Sequence, residues 1–318
     1  MKKRVKSIAV IGQGFVGGSL TTVMSEKGIK VFSYDKAGKV APGGVQPGNI
    51  NSEVDSLASF VSACENTTSF SNIYFVCLPT PMKKSGEADL SIVEKVLSDL
   101  NAIEGSKNRI AVVKSTVPPG STDGWNENLT DKLTVIFNPE FLTEANALND
   151  MRNQDRIVLG GPRPQINKVR NIFQTAFPDV PIIKTSSTTA EMVKYVTNVH
   201  LASKVALANE FYQICRSLDE KGGNVDYDKV IEYATFDKRL GLSHWKVPGP
   251  MPADDTGDPA FGFGGSCFVK DLNALMFQAE SLGVDPKVMK GVWQKNLEVR
   301  PQRDWEHLAG RAISEEKQ

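Results

Sequence analysis

The sequence predicts an α/β fold: a doubly wound parallel sheet, followed by a mainly helical domain built on one long spine helix. Three observations carry this expectation. Short, β-branched apolar runs alternate with helical patterns through residues 1–187, as in successive βαβ units. The glycine-rich turn Gly12-Gln13-Gly14-Phe15-Val16-Gly17 joins the first such run to the first helical pattern. Residues 188–221 then run helically for many turns with no Gly or Pro.

Taken in order, residues 5–11 are rich in Val and Ile, as expected of a strand covered on both faces. A helical pattern follows the glycine turn to about Lys27, and residues 31–34 read as a second strand ending at Asp35. A GxGxxG between strand and helix, with an acid ending the next strand, is the Rossmann-type dinucleotide-binding arrangement. Gly12 permits the turn, Gly14 admits a pyrophosphate, and Gly17 lets helix and strand pack closely. Asp35 would hold ribose hydroxyls and repel a 2′-phosphate, favouring NAD over NADP, a preference that Lys36 slightly weakens. Further strands are expected at 73–78, 110–114, 134–137, 156–160 and 181–184, with helices near 52–65, 91–100 and 164–177. Three strand ends carry Pro-containing stretches at 77–81, 114–120 and 138–144. Each alone reads as a turn leaving a strand; on one sheet, all three would share the ligand-binding rim.

The composition excludes several classes. With 318 residues the chain is long enough for two cores, and its 37 acidic and 37 basic residues argue against a nucleic-acid or membrane-surface partner. No stretch approaches a membrane span or a signal sequence. Cys64, Cys77, Cys215 and Cys267 are scattered, and neither they nor His200, His244 and His307 show metal-ligand spacing. A cytoplasmic, reducing setting without a metal site is expected.

The spine pattern can open with Ser187 or Thr188 as N-cap, with Glu191 completing a capping box. Its apolar residues, among them Met192, Val196, Val199, Ala202 and Val205, cover more than one stripe, which suits a domain-linking spine or a homodimer seam. Lys194 and Asn198, four apart, share a face. A short helix at 226–235, Arg239 and a Gly-, Pro- and Asp-rich loop at 241–265 follow. Arg239 could meet an anionic ligand or be a plain surface arginine. The loop is of a length that usually marks a binding segment, and it delivers Cys267 to the start of a helix at 268–281. A helix N-terminus favours a thiolate, and Lys270 and Asp271 lie three and four residues on, a cation and a base beside a nucleophile. The thiol is also compatible with a small buried hydrophobe. Residues 285–299 are helical again, and 305–318 are polar and helix-like.

Six stretches, in this order, resemble the nucleotide-sugar dehydrogenase family: GQGFVG at 12–17, CLPTP at 77–81, KSTVPPG at 114–120, NPEFLTE at 138–144, AEMVKYVTN at 190–198 and GFGGSCFVKD at 262–271. The resemblance implies NAD-dependent, four-electron oxidation of a sugar primary alcohol to a carboxylate. UDP-glucose is the leading candidate; UDP-N-acetylmannosamine and GDP-mannose are alternatives, and a catalytically degenerate NAD-binding relative is another. A two-electron hydroxyacid dehydrogenase would share the architecture without needing the thiol. By resemblance, Cys267 is the nucleophile, Lys194 and Asn198 steady the negative oxygen, and Asp271 with Lys194 handles water and protons. Glu140, Phe141, Leu142 and Glu144 match the sugar pocket, with Glu144 and Thr116 also near the nicotinamide or its water. Gly264 matches a sugar-side backbone contact, and Val16, Thr80 and Lys270 match cofactor contacts. Arg239 matches an arginine sent to the nucleotide, in some members across the dimer.

Two departures stand out. Val269 occupies a position usually held by proline, which should loosen the turn, and the family's C-terminal nucleotide-gripping domain is expected to be absent. The expected organisation is an NAD-binding domain over 1–187, a helical catalytic and dimerisation domain over 188–300 and a polar tail over 301–318.

Overall fold

A computed structural model describes residues 6–48, 56–105, 108–249 and 260–315. The chain divides into two compact units, one of residues 1–80 and 90–194, the other of residues 81–89 and 195–318.

The first unit holds β1 (Ser7–Ile11), α1 (Phe15–Glu26), β2 (Lys30–Tyr34), β3 (Gly44–Val45), α2 (Leu57–Glu65), β4 (Phe70–Val76), α3 (Ser91–Ala102), β5 (Arg109–Val113), α4 (Ser121–Asn128), β6 (Leu133–Phe137), α5 (Ala147–Arg152), β7 (Ile157–Gly160), α6 (Gln165–Ala176) and β8 (Ile182–Thr185). The sheet order is β3-β2-β1-β4-β5-β6-β7-β8. Its pairs are parallel except β6 with β7, which meet antiparallel at Phe137 and Gly160. Alternation along the strands divides the core: Ile8, Val10, Phe75 and Val112 face one helical layer, and Ala9, Ile11, Tyr74 and Val113 the other. The helices follow from their stripes; α6 buries Ile166, Val169, Ile172, Phe173 and Ala176 at three- and four-residue spacing.

α7 (Ser187–Glu220) begins in the first unit and continues through the second, which also contains α8 (Tyr227–Ala234), α9 (Cys267–Ser281) and α10 (Lys287–Val299). One core of this unit gathers Val199, Ala202, Phe263, Val269, Leu272, Trp305 and Ala312. The strap at 81–89 is tied in through Met82, whose N–H donates to the Ala312 carbonyl at 2.8 Å and whose carbonyl accepts from Ser314 N–H at 2.9 Å.

Several expectations need correction. β3, α4 and α5 were not foreseen: β3 is two residues long, and α4 buries only Thr122. The first expected helix of 52–65 is described only from Ser56, whose hydroxyl caps Ser59 N–H at 3.2 Å; residues 51–55 lie outside the described residues. So do Val5, residues 250–259 of the long loop, and 316–318. The stretch from 305 is a single 3-10 turn, Asp304–His307, that buries Trp305, because the indole packs into the core and not along a helix face. The capping box on α7 does not form. Ser186 Oγ accepts from Thr189 N–H at 3.2 Å, while the buried Glu191 carboxylate accepts from Gly120 and Thr122 N–H at 2.7 and 2.9 Å, serving α4 instead.

Far from the glycine turn in sequence, Arg109 is wholly buried. It donates to Glu65 at 2.6 Å and to the carbonyls of Leu100 and Glu104 at 3.0 and 3.1 Å. Removing one member of such a buried pair strands the other. Arg109→Met is therefore expected to lower stability by about 3–5 kcal/mol, read from the denaturant midpoint at unchanged slope.

Candidate active site

The glycine turn holds its shape by close approach. Gly12 has φ +90°, and a β-carbon there would fall on the Cys77 carbonyl; one at Gly17 would strike the Gly12 carbonyl. Gly14 faces open space, and no side chain caps α1, so its first N–H groups are available to a phosphate. Val16 lies half-buried in that first turn. Asp35 follows β2, and its two oxygens accept from Gln13 N–H at 2.7 Å and Ala37 N–H at 2.9 Å, fastening the turn to the strand end. An uncapped helix start, an open glycine and a carboxylate at the second strand end fit a dinucleotide.

The ends of β4 and β5 are clipped together. Ser115 Oγ accepts from Leu78 N–H at 2.9 Å and donates to the Leu78 carbonyl at 2.6 Å, and buried Thr80 donates to the Thr116 carbonyl at 2.8 Å. Next along the sheet, buried Lys114 donates to Asn138 Oδ1 at 2.8 Å, and Asn138 Nδ2 donates to the Val158 carbonyl at 2.8 Å. Glu140 follows, its Oε1 accepting from Lys194 Nζ at 2.8 Å and its Oε2 from Leu142 N–H at 2.6 Å. Both members of this pair are buried. Burial alone would raise the Glu140 carboxyl, but the Lys194 ammonium, the Leu142 N–H and the Lys114 charge together outweigh it and hold the group below its ordinary range. Burial pushes the Lys114 ammonium down to about 8. The Phe141 ring receives the Arg156 guanidinium at 4.0 Å and the Lys194 ammonium at 5.9 Å. A cleft of about 300 Å³ opens here, lined among others by Lys114, Glu140, Phe141, Leu142 and Arg156. Glu144 stands exposed in the 3-10 turn Glu144–Asn146.

In the second unit Cys267 is the first residue of α9, half-buried, with its sulfur 3.8 Å from Ser266 Oγ. One turn on, the almost fully buried Asp271 accepts from Asn198 Nδ2 at 2.6 Å and from Lys270 Nζ at 2.6 Å. Lys270, expected at the cofactor, is thus ion-paired to its neighbour. Val269, where a looser turn was expected, is buried within the first turn of α9. A β-carbon on Gly264 would fall on the Arg300 guanidinium and the Asp304 carboxylate, so a side chain there would have to displace that pair. Arg239 projects into solvent and is bound by Asp237, two residues away.

Sequence reasoning passed over Lys114 and Asn138, although both lie inside quoted motifs. A lysine following four apolar residues of a buried strand was the available signal. It also missed Asn209, whose Oδ1 accepts from Gly262 N–H at 3.1 Å. The site pieces supply a thiol at a helix N-terminus, a carboxylate bracketed by amide and ammonium donors, and a second buried carboxylate–ammonium pair. That is equipment for covalent catalysis with proton transfer.

Residues 6–177 match the UDP-glucose/GDP-mannose dehydrogenase family, NAD binding domain, and residues 188–298 match its central domain. The UDP-glucose 6-dehydrogenase TuaD of Bacillus subtilis is 31% identical over 315 residues, covering 93% of this chain and 64% of that one. A GDP-mannose 6-dehydrogenase of Pseudomonas syringae is 29% identical, covering 91% and 67%. Among solved structures, a UDP-glucose dehydrogenase from the archaeon Pyrobaculum islandicum superposes with a TM-score of 0.73 at 30% identity, covering 93% of this chain and 69% of that chain. The chain thus spans 64% of the length of the Bacillus relative. With both domain matches in order, it belongs to the UDP-glucose/GDP-mannose dehydrogenase family.

Proposed function

We propose that the chain is an NAD-dependent oxidoreductase that converts the 6-hydroxyl of a nucleotide sugar, UDP-glucose first, to a carboxylate in two oxidations through Cys267. The observation that carries this reading is the thiol at the start of α9 with the Asn198–Asp271–Lys270 arrangement one turn on. The cofactor would be held by the glycine turn, Val16, Asp35, Thr80 and Thr116, and when bound it accepts the hydrides. Loss of a hydride and a proton from the alcohol leaves an aldehyde. The Cys267 thiolate adds to its carbon, and Lys194 and Asn198 donate to the oxygen that becomes negative. Loss of a second hydride from that thiohemiacetal leaves a thioester. Water, relieved of a proton at Asp271, attacks the carbonyl carbon; the carbon–sulfur bond breaks and the thiol is regenerated with the carboxylate. Glu140, Phe141, Leu142, Glu144 and Gly264 would line the sugar, and Arg239 would meet the nucleotide's phosphates. A reducing, cytoplasmic setting suits this use of a thiol. No helix among the described residues is long and apolar enough to cross a membrane.

A homodimer through the spine helix is part of the proposal. Leu207, Phe211, Ile214 and Leu218 lie 39–51% exposed at the 4-3-4 spacing of a helix seam. Charges there should split it: Phe211→Asp with Ile214→Asp is expected to scatter light as one 34.7 kDa chain, and the unaltered protein as two.

Wild-type protein is expected to form two NADH per UDP-glucose consumed. Cys267→Ala should lose carboxylate formation by on the order of a thousandfold or more. Absence of turnover on UDP-glucose, UDP-N-acetylmannosamine and GDP-mannose alike would favour an NAD-binding relative without this chemistry.

Lys114 supplies a separate signature. Its folded pKa, about 8, lies below its ordinary value, so above pH 8 the unfolded chain holds a proton that the folded one has lost. Stability attributable to this group therefore rises with pH, by roughly 2 kcal/mol between pH 7 and 9.5. Denaturant midpoints of Lys114→Met should lack that rise.

A further inference from the structure

We propose that Asn296, Arg300 and Asp304 are positioning residues for the Cys267 thiol, gripping the backbone of the glycine loop that delivers it. The inference rests on the proposed reaction only for the role of the thiol. The three residues are spaced four apart along the end of α10 and the chain after it. Asn296 is fully buried; its Oδ1 accepts from Phe263 N–H at 2.7 Å and its Nδ2 donates to the Phe263 carbonyl at 2.9 Å. One side chain thus satisfies both backbone groups of one loop residue. Arg300, 5% exposed, donates from Nη1 to the Phe261 carbonyl at 3.0 Å and from Nε to Asp304 Oδ1 at 2.7 Å. Asp304 Oδ2 accepts from Gly265 N–H at 2.9 Å.

Residues 261, 263 and 265 are therefore each held by a different member of the set, two residues before the thiol at the nearest point. Ordering this loop is costly. Gly262 and Gly265 have φ of +63° and +66°, and glycine gives up more conformational freedom on ordering than any other residue. The grip is also charged. Burial would raise the Asp304 carboxyl, but the Arg300 guanidinium and Gly265 N–H outweigh it and hold it below its ordinary range. Gly264 completes the fit, because the guanidinium and carboxylate occupy the place of its missing side chain. A displacement of about 1 Å at a reacting group can reduce a rate by on the order of a hundredfold, so a loosened loop should be felt at the steps that need the sulfur.

That dependence separates positioning from mere stability. The first oxidation needs no thiol; the second does. The full chain carrying Arg300→Met or Asp304→Ala is assayed with NAD and UDP-glucose in the presence of semicarbazide, per folded protein by circular dichroism. The expected result is a first hydride transfer within about threefold of wild type and a second slowed about tenfold or more. NADH per sugar then falls from two towards one, the sugar aldehyde is trapped, and KM for NAD is unchanged. Folded variants that keep two NADH per sugar and wild-type kcat overturn the proposal. If Arg300→Met does not fold, Asp304→Asn decides by the same ratio, since the NH2 that replaces one carboxylate oxygen faces Gly265 N–H or Arg300 Nε as a donor and accepts from neither. If wild type does not oxidise UDP-glucose, the substrate reading fails on its own. The grip is then judged by iodoacetamide labelling of Cys267 against Cys215 as internal control. A Cys267 rate altered at least about threefold supports it, and an unaltered rate overturns it.

Discussion

A buried charge is stable only when its partner is buried with it and the remaining lone pairs and protons are met. Glu140 and Lys194 satisfy that constraint in the first unit: the carboxylate takes the ammonium on one oxygen and a backbone N–H on the other. Asp271 satisfies it in the second, with an amide on one oxygen and an ammonium on the other. Replacing such pairs by apolar residues of equal volume is often neutral or stabilising. Stability alone therefore does not account for them, and preorganised donors and proton acceptors of this kind are what the proposed reaction would use. Each carboxylate is fixed by two donors, and this fixes its direction as well as its charge.

The sheet of the first unit places these groups by a simple rule. Strands covered on both faces end in chain segments where polar residues can be exposed on one rim, and the motifs at 77–81, 114–120 and 138–144 are such segments. Ser115 and Thr80 bridge neighbouring strand ends through backbone carbonyls, so the rim is tied by side chains where the ladder stops. Lys114 and Asn138 extend this tie toward β7, where the sheet turns antiparallel and ladder support is reduced to one residue pair.

Much of this was legible in the sequence because it is local. Short continuous apolar runs, the glycine turn followed by an acid, and a long run without helix breakers each announce themselves within a short window, and β1, α1, β2 and α7 lie close to where those signals put them. What escaped is non-local or weakly patterned. Strand direction leaves no mark on periodicity, so the antiparallel meeting of Phe137 and Gly160 could not be read. Glu191 three residues after a threonine looks like a capping partner, yet its carboxylate reaches α4, some seventy positions away. In the site, residue types with unusual chemistry were found and their supports were not. Asn296, Arg300 and Asp304 look like the polar face of a surface helix until burial shows that they point into the loop.

Val269 stands at a position usually held by proline, and the first turn of α9 forms around it. Proline is tolerated in a first helical turn because the N–H it lacks has no partner within the helix. Valine restores that N–H, so the turn that opens with Cys267 carries one more backbone donor than a proline-bearing one. Its side chain also packs, fully buried, beside Leu272 and Trp305, which fixes the helix start by apolar contact where proline would do so by restricting φ. The thiol thus has two supports here: the packed first turn of α9 behind it and the hydrogen bonds to the glycine loop before it. Neither depends on the missing ring.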